Sequence, residues 1–334
     1  MSWWQVDTET LAGARFVISA RAEATGALLR LHKGLHGYGP PTLLPGEREF
    51  LDAHADTYHR MLTTRPDLRL VLATAMRPGW LADFVSPPQA ETERPLADEL
   101  DDIRNLPDDR TRDDLARALA VTNGPPLPDE IRRLSPGPLV AEVLAWVWET
   151  TIAPDWPRRR RILEADIVAR TRQLTQGGWV AAFADLKADM RWLGNGRLQV
   201  NAAPYASRDV SGTQLLFVPI TTGHGWVAWD ELDASRHTIA YPASAPLAAN
   251  GPAHPVPDAL GRLLGPVRAT VLTLLDPPKS TTQLCALTGL ALGTIGRHLG
   301  ILLDAGLVLR RRAGRTVLYS LTAAGRALIT ASQT

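Results

Sequence analysis

Residues 290–325, LALGTIGRHLGILLDAGLVLRRRAGRTVLYSLTAAG, leave little freedom in how they can fold. Ile295, Leu299 and Leu302 recur at helical spacing, which predicts a short helix with one buried stripe, ending at Asp304-Ala305-Gly306. Two apolar-rich runs follow, LVLRRR and RTVLYSL, joined at Ala313-Gly314, the pattern of a β-hairpin. Arg310, Arg311, Arg312 and Arg315 crowd around its tip. Such charge, beside a helix that carries Thr294, Arg297 and His298, suits a surface that grips phosphate rather than an enzyme site.

The preceding residues complete the pattern. Leu260, Leu263, Leu264, Val267, Val271, Leu274 and Leu275 predict one helix, stopped by Pro277-Pro278. In STTQLCALTG, Ser280 and Gln283 form a capping-box signature, Leu284 and Leu287 supply the inner face, and Gly289 suits a helix C-terminus. Thr322 can cap a last helix. Helix, helix–turn–helix, hairpin, helix is a winged helix–turn–helix. Gly293, Gly296 and Gly300 interrupt its second helix, each at a cost of about 1 kcal/mol relative to Ala. They admit three readings: close approach to DNA, close approach to the neighbouring helix, or a helix that orders on binding.

Charge separates this segment from the rest. From residue 261 onward nine basic residues face two acids, a net +7, which leaves −6 on residues 1–260 of a chain whose total is +1. An acidic body with a basic module fits a nucleic-acid reader, because phosphate contacts supply most of its raw affinity. Arg297 can bind guanine bidentately, and Thr294 can reach a base edge, a thymine methyl or a phosphate. His298 either shares this face or packs against the first helix. Thr281, Thr282 and Gln283 complete the candidate DNA-contacting set.

On these residues, 262–325 resemble the ArsR/SmtB-type winged-helix regulators, with TIGRHLGILLDAGLVLRRRAGRTVLYSLTAAG carrying the resemblance. APDWPRRRRILEAD and the GTQLLFVPI region extend it, more loosely, to a long actinobacterial branch whose N-terminal domain has no assigned role. The resemblance implies that the helix bearing Thr294, Arg297 and His298 enters the major groove. The wing, with Arg310, Arg311, Arg312 and Arg315, then lies over the backbone or minor groove. It also implies a symmetric dimer on an inverted repeat. One departure is Ala291-Leu292, where the family usually has Ser or Thr followed by Pro; an N-cap worth about 1 kcal/mol is missing. A second concerns metal sensing. The paired cysteines of metal-responsive members fall on Ser280 and Thr282 here, and Cys285 matches only an accessory position.

Residues 1–245 read as a mainly helical body with a small sheet late in it. Helical spacing covers 10–36 and 46–73, then RPLADELDDIRNL, DDRTRDDLARALAV, GPLVAEVLAWVWETTI and RRRRILEADIVARTRQLTQGG, which ends at Gly177-Gly178. GRLQVNAAPY, GTQLLFVPI and HTIAYPA read as strands. The expected organisation is α+β, mainly helical: a dimerisation and candidate effector domain over 1–245, a proline-rich linker over 246–259 and the winged helix–turn–helix over 260–334.

An apolar share of 45% with 21% charged residues marks a globular chain. A single cysteine excludes an intramolecular disulfide and fits a reducing interior. No apolar run reaches the roughly 18–20 residues of a membrane span, and MSWWQVDTETLAGARF lacks a basic region followed by an apolar core, so a cytoplasmic location is expected. HKGLH places His32 and His36 four apart, but Lys33 stands where a metalloprotease motif has its glutamate. One thiol without a nearby His or acid cannot build a thiophilic site. No nucleophile elbow, phosphate loop or dinucleotide fingerprint is present, so no cofactor, metal or catalytic residue is expected. All ten tryptophans precede residue 230; each serves either core packing or a ligand site, and Trp146, Trp148, Trp226 and Trp229 are the candidate pocket for a small organic effector. The function expected is sequence-specific DNA binding as a dimeric repressor. The alternative is an enzyme or small-molecule sensor whose winged helix binds protein.

Overall fold

The computed structural model describes residues 2–37, 46–184, 186–202, 205–231, 234–243, 258–275, 278–288, 290–313 and 316–332. The chain opens with strand β1 (Ser2–Gln5), helix α1 (Thr8–Gly13), strand β2 (Arg15–Phe16) and helix α2 (Ala20–His36). The continuous helix expected from residue 10 is therefore broken. Asp7 caps α1 by accepting from the Thr10 N–H, and Ser19 caps α2 by accepting from the Ala22 N–H; between them Arg15 and Phe16 pair with a strand two hundred residues away. The helix expected over 46–73 divides likewise into α3 (Glu47–Thr64) and α4 (Pro66–Ala75). Pro66 lacks the N–H needed inside a helix, and it starts a new one instead.

A short hairpin, β3 (Met76–Arg77) and β4 (Trp80–Leu81), leads to α5 (Leu96–Arg104), α6 (Asp108–Val121) and α7 (Pro136–Val147). After a π-helical turn at Trp148–Ile152 comes α8 (Trp156–Phe183). Helices α2 to α7 enclose the largest core, built on Leu28, Leu31, Tyr58, Leu72, Ile103 and Leu144. Helix α2 is its hub, buried from Ala20 to Leu28 without interruption. Its buried charges are all matched: Arg21 with Glu99, Arg30 with Glu47 and Glu23 with Arg159. At Gly26 a Cβ would meet the Thr222 carbonyl at 2.6 Å, so glycine is required where α2 crosses the chain at residues 221–223.

Six strands follow: β5 (Arg191–Gly194), β6 (Arg197–Asn201), β7 (Arg208–Asp209), β8 (Gln214–Ile220), β9 (Trp226–Trp229) and β10 (Arg236–Pro242). Two four-stranded sheets replace the one small sheet expected, in the orders β5-β6-β1-β7 and β2-β8-β10-β9. Each recruits a strand from the first sixteen residues. Parallel β8 and β10 are buried nearly end to end, which is why they read as unbroken apolar runs. The helical run ends regular geometry where the sequence predicts, because Gly178 takes φ 66° and ψ −172°. That break turns the last helical residues toward the sheet, where Trp179 stacks on Phe183 and Phe217, each at 5.3 Å.

The C-terminal part comprises α9 (Asp258–Leu264), α10 (Pro266–Thr273), β11 (Lys279–Ser280), α11 (Thr281–Thr288), α12 (Leu292–Asp304), β12 (Val308–Ala313), β13 (Thr316–Leu321) and α13 (Ala323–Ala331). The single helix expected over 260–275 is two helices, separated at Gly265 (φ 82°) with Pro266 opening the second. Val271, Leu272, Leu284, Ile295, Leu299, Leu302, Val308 and Leu321 form its core. Most of the expected proline-rich linker, residues 246–257, lies outside the described residues. Among the described residues no helix is long and apolar enough to cross a membrane.

Candidate nucleic-acid interface

Helix α11 begins with the predicted capping box. The Ser280 N–H donates to Gln283 Oε1 at 2.7 Å, and the Gln283 N–H donates to Ser280 Oγ at 3.2 Å. Gln283, expected from sequence among the DNA contacts, thus has its side-chain oxygen engaged in starting its own helix. Thr281 and Thr282 are half-buried beside it. Leu284 enters the core as expected, but Leu287 does not: it packs outside the module, against the body cluster of Ile18, Ile162, Leu163 and Ala243. The first helix of the pair is thereby seated on α8. Cys285 is half-buried, and that burial pushes its thiol above the ordinary range.

Helix α12 buries Ile295, Leu299 and Leu302, the stripe read from sequence. No side chain caps its start at Ala291. Arg297 is exposed on the opposite face, with Thr294 and His298 half-buried at its edges. His298 Nδ1 is buried without a hydrogen-bond partner among the described residues. Among the described residues, a Cβ at Gly293, Gly296 or Gly300 would meet nothing within 4 Å, so these glycines serve no contact with a neighbouring helix there. They leave a shallow, side-chain-free track beside Arg297.

The hairpin register places Val308 opposite Leu321, Arg310 opposite Tyr319 and Arg312 opposite Val317 on one face. Leu309 opposite Ser320 and Arg311 opposite Leu318 occupy the other. The three arginines are exposed and are divided between both faces, so the charge surrounds the ribbon. Arg315 lies outside the described residues. Sequence reading missed three exposed apolar residues here: Leu309 and Val317, on opposite faces of the hairpin, and Leu292 at the start of α12. The predicted cap of α13 is present, with Thr322 Oγ1 accepting from the Gly325 N–H at 3.0 Å.

Elsewhere, His32 and His36 have ring centroids 4.4 Å apart, and His32 Nδ1 lies 3.0 Å from the Tyr58 hydroxyl. Burial, reinforced by the neighbouring His36, pushes His32 down to about 3, so it is neutral near pH 7. Among the described residues no group of three or more His, Cys, Asp or Glu could share a metal ion. The four tryptophans named from sequence do not converge. Trp146 packs against Tyr58 at 6.3 Å and Trp148 edge-on against Trp156 at 5.0 Å, beside the helical core. Trp226 and Trp229 instead line a cavity of about 260 Å³.

Comparison with a family model reaches the same end of the chain. The family described as a helix-turn-helix domain matches residues 263–311. No curated protein sequence matches. A solved structure, that of the transcriptional regulator BldR from Sulfolobus solfataricus, matches at 23% identity and a TM-score of 0.22. The match covers 25% of this chain and 66% of that one.

Proposed function

We propose that the protein is a sequence-specific DNA-binding transcription regulator, a homodimeric repressor that reads an inverted repeat. In this reading residues 260–334 are a winged helix–turn–helix, α12 enters the major groove and the β12–β13 hairpin is the wing. One observation carries it: Arg297, Arg310 and Arg311 are exposed on adjacent elements and lack any acidic partner among the described residues. Unpaired arginines concentrated in this way attract a polyanion. The helix-turn-helix match over 263–311 supports the same assignment. Two modules related by a two-fold axis would address half-sites about 34–36 Å apart.

A gel shift with the DNA flanking the protein's own gene tests the reading. A dimer that sets Arg310, Arg311 and Arg312 of each hairpin on phosphates makes about six contacts and loses about a thousandfold in affinity between ~50 and ~200 mM salt. A folded protein with no salt-sensitive, sequence-selective binding would refute it.

A further inference from the structure

In the N-terminal body, α2, the β3–β4 hairpin and strand β9 line the cavity of about 260 Å³. Its walls are aromatic. Trp80 meets Tyr205 edge-on at 5.2 Å and Trp229 edge-on at 5.8 Å. Two of these rings are fixed by polar anchors: the Tyr205 hydroxyl donates to the Gly79 carbonyl at 2.8 Å, and Trp229 Nε1 donates to Glu231 at 2.6 Å. Rings held in this way form a preformed slot and lose little entropy when a flat molecule enters.

The charges lining the cavity do not cancel. Lys187 is neutralised by Asp189 at 2.8 Å, and Asp83 pairs with Arg117 at 3.2 Å. Lys33 and Arg77 have no ion-pair partner among the described residues. Arg77 makes one neutral contact, donating from Nε to the Thr122 hydroxyl at 3.2 Å. Lys33 makes no hydrogen bond at all among the described residues. An ammonium that is half-buried and unpaired is costly, and an anion beside it relieves that cost. Burial accordingly pushes Lys33 below the ordinary lysine range.

We propose that this cavity is a binding site for a small aromatic carboxylate of one or two rings, with its ring among Trp80, Tyr205 and Trp229 and its carboxylate on Lys33. The volume lies just under the roughly 300–1,000 Å³ of drug-sized ligand pockets, which fits a ligand of that size. A regulatory role rests on the DNA-binding reading; the ligand site does not. A physical link exists for it. Lys33 shares α2 with Glu23, Glu23 holds Arg159 of α8, and α8 seats α11 through Leu287.

Calorimetric and tryptophan-fluorescence titration of the full chain with 2-naphthoate, without DNA, tests the site. Saturable one-to-one binding is expected, with 2-naphthamide and hexanoate each at least tenfold weaker. Lys33→Met should weaken 2-naphthoate at least tenfold and leave 2-naphthamide unchanged, and Lys33→Arg should recover part of the loss. Tyr205→Ala, outside the helical core, should weaken both aromatic probes alike. Absence of saturable binding by 2-naphthoate, indole-3-carboxylate and benzoate to the folded chain would overturn the proposal. So would equal affinity for acid and amide, or an unchanged affinity in folded Lys33→Met. A gel shift with and without 2-naphthoate then reads the regulatory step separately, so failure of DNA binding and failure of the site cannot be confused.

Discussion

Arg159 on α8 donates to Glu23 on α2 at 2.8 Å, and both side chains are closed off from solvent. The arginine also donates to the hydroxyls of Thr221 and Thr222 and to the Thr151 carbonyl. Glu23 in turn accepts from the Thr221 N–H at 2.8 Å and from its hydroxyl. One ion pair thus joins two helices, the π-helical turn and the end of β8.

Breaking that pair from one side leaves a buried charge without compensation. Arg159→Ala and Glu23→Ala should each cost about 3–5 kcal/mol. The paired replacement Glu23→Leu with Arg159→Met should cost clearly less than the two single losses added together. Urea denaturation followed by tryptophan fluorescence measures all three. Additive losses would show that the pair is not the joint described.

Leu284 and Leu287 lie three apart on α11 yet serve different cores. Leu284→Ala should cost about 2–5 kcal/mol, as for a buried leucine; Leu287→Ala, only half-buried, should cost the lower part of that range. Their distinguishing readout is hydrogen exchange. Leu287→Ala should raise exchange in the first half of α8 as well as in α11, whereas Leu284→Ala should spare α8. Unaltered α8 exchange in Leu287→Ala would show that the module is not seated there.

The same pair shows where sequence reading stopped. A helical wheel places both leucines on one side and says nothing of which neighbour each meets. The capping box of Ser280 and Gln283, the Ile295/Leu299/Leu302 stripe and the Thr322 cap were legible because each is a local pattern with a local partner. Strands β8 and β10 were legible because burial on both faces makes the whole run apolar. Strands β1 and β2 were not, because Trp4 and Phe16 find their partners at Leu198 and Phe217. Pro66 and Pro266 signal the two breaks, since a residue preceding proline disfavours helix, but apolar periodicity runs across both and predicts a single helix each time. Lys33 was legible only as a misfit within HKGLH; its aromatic neighbours arrive from three other segments.

Two buried histidines and one half-buried carboxyl make stability depend on pH in opposite directions. Burial, with the Arg208 charge nearby, lowers His237 to about 4, and burial with His36 lowers His32 to about 3. Unfolded, both titrate near 6.5. Their contribution is therefore intact above pH 6.5 and is lost as pH falls, by up to about 1.4 kcal/mol per pH unit for each histidine. Asp83 is raised to about 7 by burial and by Asp114. Its contribution is intact below the unfolded value near 3.8 and is lost as pH rises toward 7. Chemical denaturation at a series of pH values should show His237→Gln losing less stability than the parent between pH 6.5 and 4. Asp83→Asn should gain on the parent between pH 4 and 7. Parallel profiles for parent and variants would place these groups in solvent.

The recognition face can be tested by separating stability from affinity. Gly296 sits within α12 with open space where a Cβ would point, so Gly296→Ala should raise helix stability by about 1 kcal/mol. If the backbone at Gly296 approaches DNA closely, the added methyl group must also weaken DNA binding. A more stable protein with lower affinity is the expected result, and no simple folding defect produces that combination. Arg297→Ala should cost about 1–3 kcal/mol of binding and relax preference at one base position in each half-site. Arg311→Ala on the hairpin should weaken every sequence similarly and reduce the salt slope by about 1 per phosphate contact removed. Thermal unfolding and gel shifts across a set of single-base operator variants measure each quantity. If Gly296→Ala were more stable and bound unchanged, and Arg297→Ala kept the parent's base preferences, α12 would not be the element that reads DNA.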